Sequence, residues 1–198
     1  VVAETAAEWS AQLASAILTG TGTNGQPRGI LTETPVSTAD DASPLRDANA
    51  IQAIAAEVTS PLGLTIDDLI TLISSVKERY LDQQNTAFVM HRTTAATLRK
   101  LKSSTGGDYL WEPATQDGMP ARLLGYPIYT CDAVDEISDG SFPVLFGNFQ
   151  RSYLLARRNG MRVIVDPYTD PGHTQFYISR RIGGTVLVND ALKCLSVT

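Results

Sequence analysis

The chain has 198 residues, 16 Lys and Arg against 21 Asp and Glu, a net charge of −5 and a pI near 5.0. This length supports one or two compact domains with a sizeable core, and the composition is that of an ordinary globular protein. The acidic balance disfavours attraction to nucleic acid or to an anionic membrane. The two cysteines, Cys131 and Cys194, make neither a disulfide framework nor a metal-ligand spacing, and no apolar run approaches the ~18 residues of a bilayer span.

In chain order, Ala6 to Leu18 reads as a helix, with Trp9, Leu13 and Ile17 recurring at i, i+4 and i+8 on one apolar face. No capping residue precedes Val1-Val2 and no initiating Met is present, so the helix is expected to start further upstream, in a fragment or a processed product. Gly20 stands where a helix ends in a left-handed turn. Gly20, Gly22 and Gly25 spell G-x-G-x-x-G, which marks a dinucleotide loop only when a strand enters and a helix leaves. Here a helix enters, and Pro27 keeps Gln26 extended, so an exit loop is favoured over a phosphate loop.

Thr32 to Leu45, rich in Thr, Ser, Asp and Pro, reads as a loop of low order. Asp47 is expected to cap a short helix with Ile51, Ile54 and Val58 on one side, broken by Ser60-Pro61-Leu62-Gly63. Thr65-Ile66-Asp67-Asp68 has the form of a capping box opening the best helix of the sequence, with Leu69, Ile70, Ile73, Val76 and Tyr80 as its buried stripe and Lys77 in solvent. Thr86 to Met90 reads as a strand. Thr93 or Thr94 caps a helix that turns Ala95, Leu98 and Leu101 inward and ends at Ser103 to Gly107. Tyr109 to Trp111 is short and extended, Leu123 to Tyr129 is a turn entering a strand, and Pro143 to Phe146 is a strand stopped by Gly147.

From Arg151 the character is β. Asn159-Gly160 between Tyr153–Arg157 and Met161–Val165 is a hairpin signal. Turns fall at Asp166-Pro167-Tyr168 and Asp170-Pro171-Gly172. Gln175 to Ile182 alternates as a strand, Gly183-Gly184 turns, Thr185 to Val188 returns, and Ala191 to Val197 is a last strand. The fold class is α+β, the first helix packing with a closing sheet around a central insert.

Each group able to carry chemistry also has a plain structural role. His91 is a general base or a polar residue at a strand end, and His173 is a turn residue. Cys194 is a small buried hydrophobe rather than a nucleophile. Asp40-Asp41 and Asp67-Asp68 are explained by solvation and helix capping before metal binding. Arg157-Arg158 and Arg180-Arg181 either meet an acidic neighbouring subunit or are solvated strand ends. No catalytic, cofactor-binding or metal-ligating residue is assigned, and no cofactor is expected.

The Ala-rich helix followed by Leu18-Thr19-Gly20-Thr21-Gly22, Gln26-Pro27 and Gly29-Ile30-Leu31 resembles the major capsid proteins of tailed bacteriophages, the family with the Hong Kong 97 phage fold. Four further blocks follow in that family's order. They are Thr86 to Thr94 with Leu98 to Lys102, in which His91 replaces the usual Asn; Leu123 to Ile128; Phe146 to Phe149, with Asn148 for Asp; and Arg158 to Val163. The resemblance implies a peripheral domain of residues 1–31 and 149–198 and an axial domain of residues 32–148. It implies a structural subunit of an icosahedral phage or prophage shell, assembling with itself into pentamers and hexamers together with other capsid and scaffold components. DNA would be enclosed without specific contact, and no membrane is involved. The subunit would reside in the virion, and in the host cytoplasm before assembly. An encapsulin-like cargo shell is the alternative, and a nucleotide-binding enzyme using the Gly20–Gly25 loop is the remote one. The family's N-terminal arm and E-loop precede the helix and are not in this sequence. Its crosslinking Asn and Glu have no counterpart between Gly172 and Arg181, so no isopeptide bond is carried over.

Overall fold

A computed structural model describes residues 2–56, 64–82, 84–101, 121–166, 168–169 and 174–197. Its elements are α1 (Val2–Thr19), β1 (Gln52–Ala55), α2 (Ile66–Ser74), β2 (Thr86–Met90), α3 (Arg92–Arg99), β3 (Arg122–Leu123), β4 (Tyr126–Thr130), β5 (Val144–Asn148), α4 (Phe149–Ser152), β6 (Tyr153–Asp166), β7 (Gln175–Val186) and β8 (Leu192–Ser196). One sheet has the strand order β1-β8-β5-β2-β4-β3; β6 and β7 form a separate two-stranded ribbon. β1 with β8 and β2 with β4 are parallel, while β8 with β5, β5 with β2 and β4 with β3 are antiparallel. The helix breaker at 60–63, Val58, the helix end at 103–107, the extended 109–111, the turn at 170–172 and His173 lie outside the described residues.

The central strands β8, β5 and β2 of the six-stranded sheet are buried on both faces. On one, Leu69 and Leu72 of α2 and Ala95 and Leu98 of α3 pack on Phe88, Met90, Val144, Phe146 and Leu195. The Phe88 and Phe146 rings lie 4.4 Å apart, with Tyr126 edge-on to Phe146 at 5.2 Å. The other face holds Ile51, Ala53, Leu145, Leu192 and Cys194, closed by Leu18 from the end of α1 and by Ile30. Each fully buried Leu, Ile or Phe contributes about 1.5–3 kcal/mol of apolar burial, so the sheet between these two layers is where the core sits.

Several elements differ from the sequence reading. The helix expected after Asp47 is the strand β1. Ile51 and Ala53 point to one core and Ile54 packs against the other, so the period is two. Pairing along β8 decides it, from Gln52↔Lys193 to Ala55↔Ser196. α2 opens with the expected box: Asp68 N–H donates to Thr65 Oγ1 at 3.2 Å and Thr65 N–H donates to Asp68 Oδ2 at 2.8 Å. It ends at Ser74, so Val76 is buried from a turn and Tyr80 packs half-buried from a separate 3-10 turn at Glu78–Tyr80, while Ile70 of the expected stripe is exposed. The cap of α3 is His91, whose Nδ1 accepts from Thr93 N–H at 3.2 Å, and not Thr93 or Thr94. Gly147 does not stop β5, which runs on to Asn148. Its φ of 148° and the Ala191 carbonyl oxygen, 2.1 Å from where a Cβ would stand, account for a glycine inside the strand.

The ribbon departs furthest. β6 runs unbroken from Tyr153 to Asp166 against β7, and Asn159-Gly160 lies where the register shifts between Arg158 and Arg162. The signal read as a hairpin marks a bulge. Gly183-Gly184 does not turn either: both belong to β7, paired with Ala156 and Leu155, and Thr185 and Val186 continue the strand with no return. β8, expected in the closing sheet, pairs between β1 and β5 in the six-stranded sheet.

Candidate functional site

The glycine-rich exit from α1 is built by hydrogen bonds to its own chain. Gly20 N–H donates to Ala16 O at 3.0 Å, Gly22 N–H to Pro27 O at 3.2 Å and Gly29 N–H to Gly20 O at 2.7 Å. Ile30 and Leu31 N–H groups return to Ile17 and Leu18 carbonyls at 2.9 and 2.8 Å, folding the segment back along the helix end. A Cβ at Gly20 would stand 2.3 Å from Ala16 O, and one at Gly29 2.6 Å from Gly20 N, so the backbone packs closer than any side chain allows. A phosphate cradle presents free N–H groups at a helix start. This loop consumes those of Gly20, Gly22 and Gly29 at a helix end.

The loop also ties α1 to the ribbon. Arg28 N–H donates to Gly184 O at 2.9 Å, and the Tyr153 hydroxyl donates to Arg28 O at 2.8 Å. Tyr153 lies over Gly184, where a Cβ would meet its hydroxyl oxygen at 2.1 Å; burial pushes that hydroxyl's pKa up. Glycine at 184 thus makes room for the tyrosine that staples loop to ribbon. Between α1 and the ribbon remains an open groove of about 530 Å³, walled by Trp9, Leu13, Pro27 and Ile182 and by the two arginines Arg157 and Arg180.

A second cluster is centred on β8 and its neighbour, the edge strand β1. Lys193, fully buried on β8, donates its Nζ to Asp40 Oδ1 and, at 2.7 Å, to Gln52 Oε1. Arg46, 3% exposed, pairs with Asp40 and, at 2.9 Å, with Asp190; Lys77 reaches Asp190 at 3.1 Å. Burial alone would raise the Asp40 carboxyl, but hydrogen bonds from Lys193 and Arg46 more than offset it and hold the pKa below the usual carboxylate range. Burial pushes the Lys193 ammonium down against the pull of Asp40. Asp40, read from sequence as a solvated loop residue, is thus buried, and Lys77 is paired rather than merely solvated. Only the placement of Asp40 and Arg46 opposite a strand lysine, over a hundred residues away in sequence, reveals this, and no local pattern encodes it. The cluster is chemically closed: every charge in it is met by another.

The other singled-out residues sit apart. His91 caps α3, with Glu136 at 3.4 Å and Asp132 at 4.0 Å. Cys194 is buried in the sheet, where desolvation pushes its thiol pKa up and makes it a poor nucleophile. Asp68 serves the capping box. Arg157, Arg158, Arg180 and Arg181 lie in the ribbon and have no ion pair among the described residues. Of these, only the ribbon arginines share a concave surface: Arg157 and Arg180 line the groove beside α1, and Arg158 and Arg181 a hollow on the other face of the ribbon.

A profile of the Phage capsid family matches residues 1–197. The chain belongs to the phage capsid family. Among solved structures, this capsid-family chain is similar to the capsid of an empty GTA particle, at 29% identity and a TM-score of 0.81, covering 100% of this chain and 65% of that one. The capsid of the native GTA particle gives the same identity and TM-score over 64% of its chain. At the level of fold alone it is similar to a structure titled Mycobacterium phage Ogopogo (15% identity, TM-score 0.57, covering 100% of this chain and 68% of that one). The same holds for the holo-SrpI encapsulin complex from Synechococcus elongatus PCC 7942 (16%, 0.57, covering 98% and 63%). No curated protein sequence matches. The capsid-family chain therefore spans about two thirds of the length of the GTA capsid chains it resembles, and its mixed helix-and-sheet architecture is the Hong Kong 97-like phage capsid fold.

Proposed function

We propose that this chain is a structural subunit of an icosahedral phage or prophage capsid shell, assembling with copies of itself into pentamers and hexamers around DNA. The observation that carries this reading is the family match over residues 1–197, together with a 29% identical capsid that superposes on the whole chain. The arrangement of charge and space agrees with it. The glycine loop is turned to structure, the buried charges pair with each other, and the surface is left for contacts between copies, which is what a closed shell uses. No catalytic step is part of the proposal. α1, its exit loop and the ribbon would form the peripheral part, and the six-stranded sheet with α2 and α3 the axial part, with residues 192–196 joining the latter through β8. Scaffold and other capsid components are the expected further partners, and the virion, after assembly in the host cytoplasm, the expected location.

Electron microscopy of the full-length gene product tests the proposal: closed shells are expected. The encapsulin-like alternative draws on fold similarity alone and is separated by what copurifies, since DNA supports the capsid reading and an enzyme cargo the other. Saturable binding of NAD or ATP at the Gly20–Gly25 loop would instead support the enzyme reading.

A further inference from the structure

The ribbon β6–β7 holds five arginines and one carboxylate, Asp166, in a chain whose net charge is −5. Cross-strand register sorts them by face. Arg158 stands directly opposite Arg181, and Arg162 opposite Ser179 two positions along β7, so these three arginines share one face around a hollow of about 350 Å³ at the bulge. Like charges directly opposite each other destabilise a strand pair. Among the described residues no carboxylate lies within ion-pair distance of any of the three. Asp166 is turned to its own loop, accepting from Tyr168 N–H at 2.9 Å and from the Thr169 hydroxyl at 2.5 Å. Next along the same face stand Ile164 and Tyr177, paired across the ribbon and 44% and 51% exposed. Arginines beside an exposed aromatic and an exposed aliphatic side chain have the make-up of a protein contact surface.

The counter-charge is on the same molecule, out of reach. The loop of residues 131–141, between β4 and β5, carries Asp132, Asp135, Glu136 and Asp139 and no lysine or arginine. Asp132 and Glu136 are 94% and 65% exposed. This loop leads into the start of β5 at Val144. The ribbon leaves through α4 from the other end of β5, at Asn148. One end of the sheet is therefore acidic and the opposite end bears the basic arm. Two unlike, complementary patches at opposite ends of one chain define a head-to-tail contact, which repeats from copy to copy and closes into a ring when the rotation permits.

We infer that the Arg158–Arg162–Arg181 face of the ribbon docks on the acidic 131–141 loop of a second copy of this chain. The inference rests on the shell reading and gives it a specific contact. A protein partner is favoured over a nucleic acid by the net negative charge of the chain and by the apolar residues beside the arginines.

The test is a charge swap in the full-length gene product, followed by sedimentation velocity over a range of protein and salt concentrations. R158E/R162E/R181E and D132R/D135R/D139R are each expected to raise the concentration needed for half-assembly by about tenfold or more, since unmatched charges across an interface act against association. Mixing the two variants, or combining all six changes in one chain, is expected to restore assembly, which a general folding defect would not allow. Added salt is expected to weaken wild-type assembly by screening. Assembly of both reversal variants at the wild-type concentration overturns the inference and leaves the shell reading standing. So does an arginine variant that builds normal shells and loses only DNA, which would assign the face to nucleic acid. A wild-type protein that stays monomeric at every concentration overturns the shell reading and this inference with it.

Discussion

At Lys193 an ammonium with no exposure sits in the middle of a sheet, and its two acceptors come from a loop, Asp40, and from the neighbouring strand, Gln52. A buried charge of this kind contributes little net stability while paired, but removing the partner is costly. Asp40→Asn leaves both Lys193 and Arg46 without the carboxylate they share and is expected to cost about 3 kcal/mol, measured by denaturant unfolding. The pH dependence has a fixed sign. The folded Asp40 pKa lies below its unfolded value of about 3.9, so its contribution is present above about pH 4 and is lost as pH falls through the lower folded value. The difference in melting temperature between wild type and Asp40→Asn should be full near neutrality and shrink below that range; a difference unchanged in acid contradicts the pairing. Gly147 makes a second residue-scale case. With φ at 148° and Ala191 O at 2.1 Å from the Cβ site, Gly147→Ala combines backbone strain with a clash against a fixed carbonyl. It is expected to destabilise by about 3 kcal/mol or more, whereas Gly125→Ala, at φ 86° with open space around it, should carry the strain alone and cost less.

At the scale of elements, local chemistry was legible where it is self-contained. The Thr65–Asp68 box and the strand at Thr86 to Met90 each depend on residues within a few positions, and each stands as read; Gly20 does follow the end of α1, but without the left-handed turn expected of it, since its φ is not positive. The misreadings share another cause. Ile51 and Ile54 are spaced for a helix, but β1 is selected by β8, some 140 residues later. Asn159-Gly160 and Gly183-Gly184 carry turn chemistry, yet a long partner strand converts the first into a bulge, and the second into a flat place for Tyr153. β8 follows a β-rich segment in sequence, yet its side chains complete the two cores of the six-stranded sheet. By sequence His91 reads as a base or a strand-end residue; its role as the α3 cap depends on where the helix starts. That role makes a prediction. His91→Ala should cost about 1 kcal/mol through the lost cap, and His91→Asn should hold or raise stability, because Asn caps at least as well; thermal melts of the two variants decide it.

For the whole molecule, the buried charge cluster and the division of charge between the ribbon and the 131–141 loop were not readable in the sequence. Both are products of topology, which sets chain-distant residues side by side or at opposite ends. The most direct measurement is electron microscopy of the full-length gene product purified without denaturant. The account predicts closed shells of uniform diameter built from fivefold and sixfold clusters of this subunit. A homogeneous population of monomers across the accessible concentration range would contradict it.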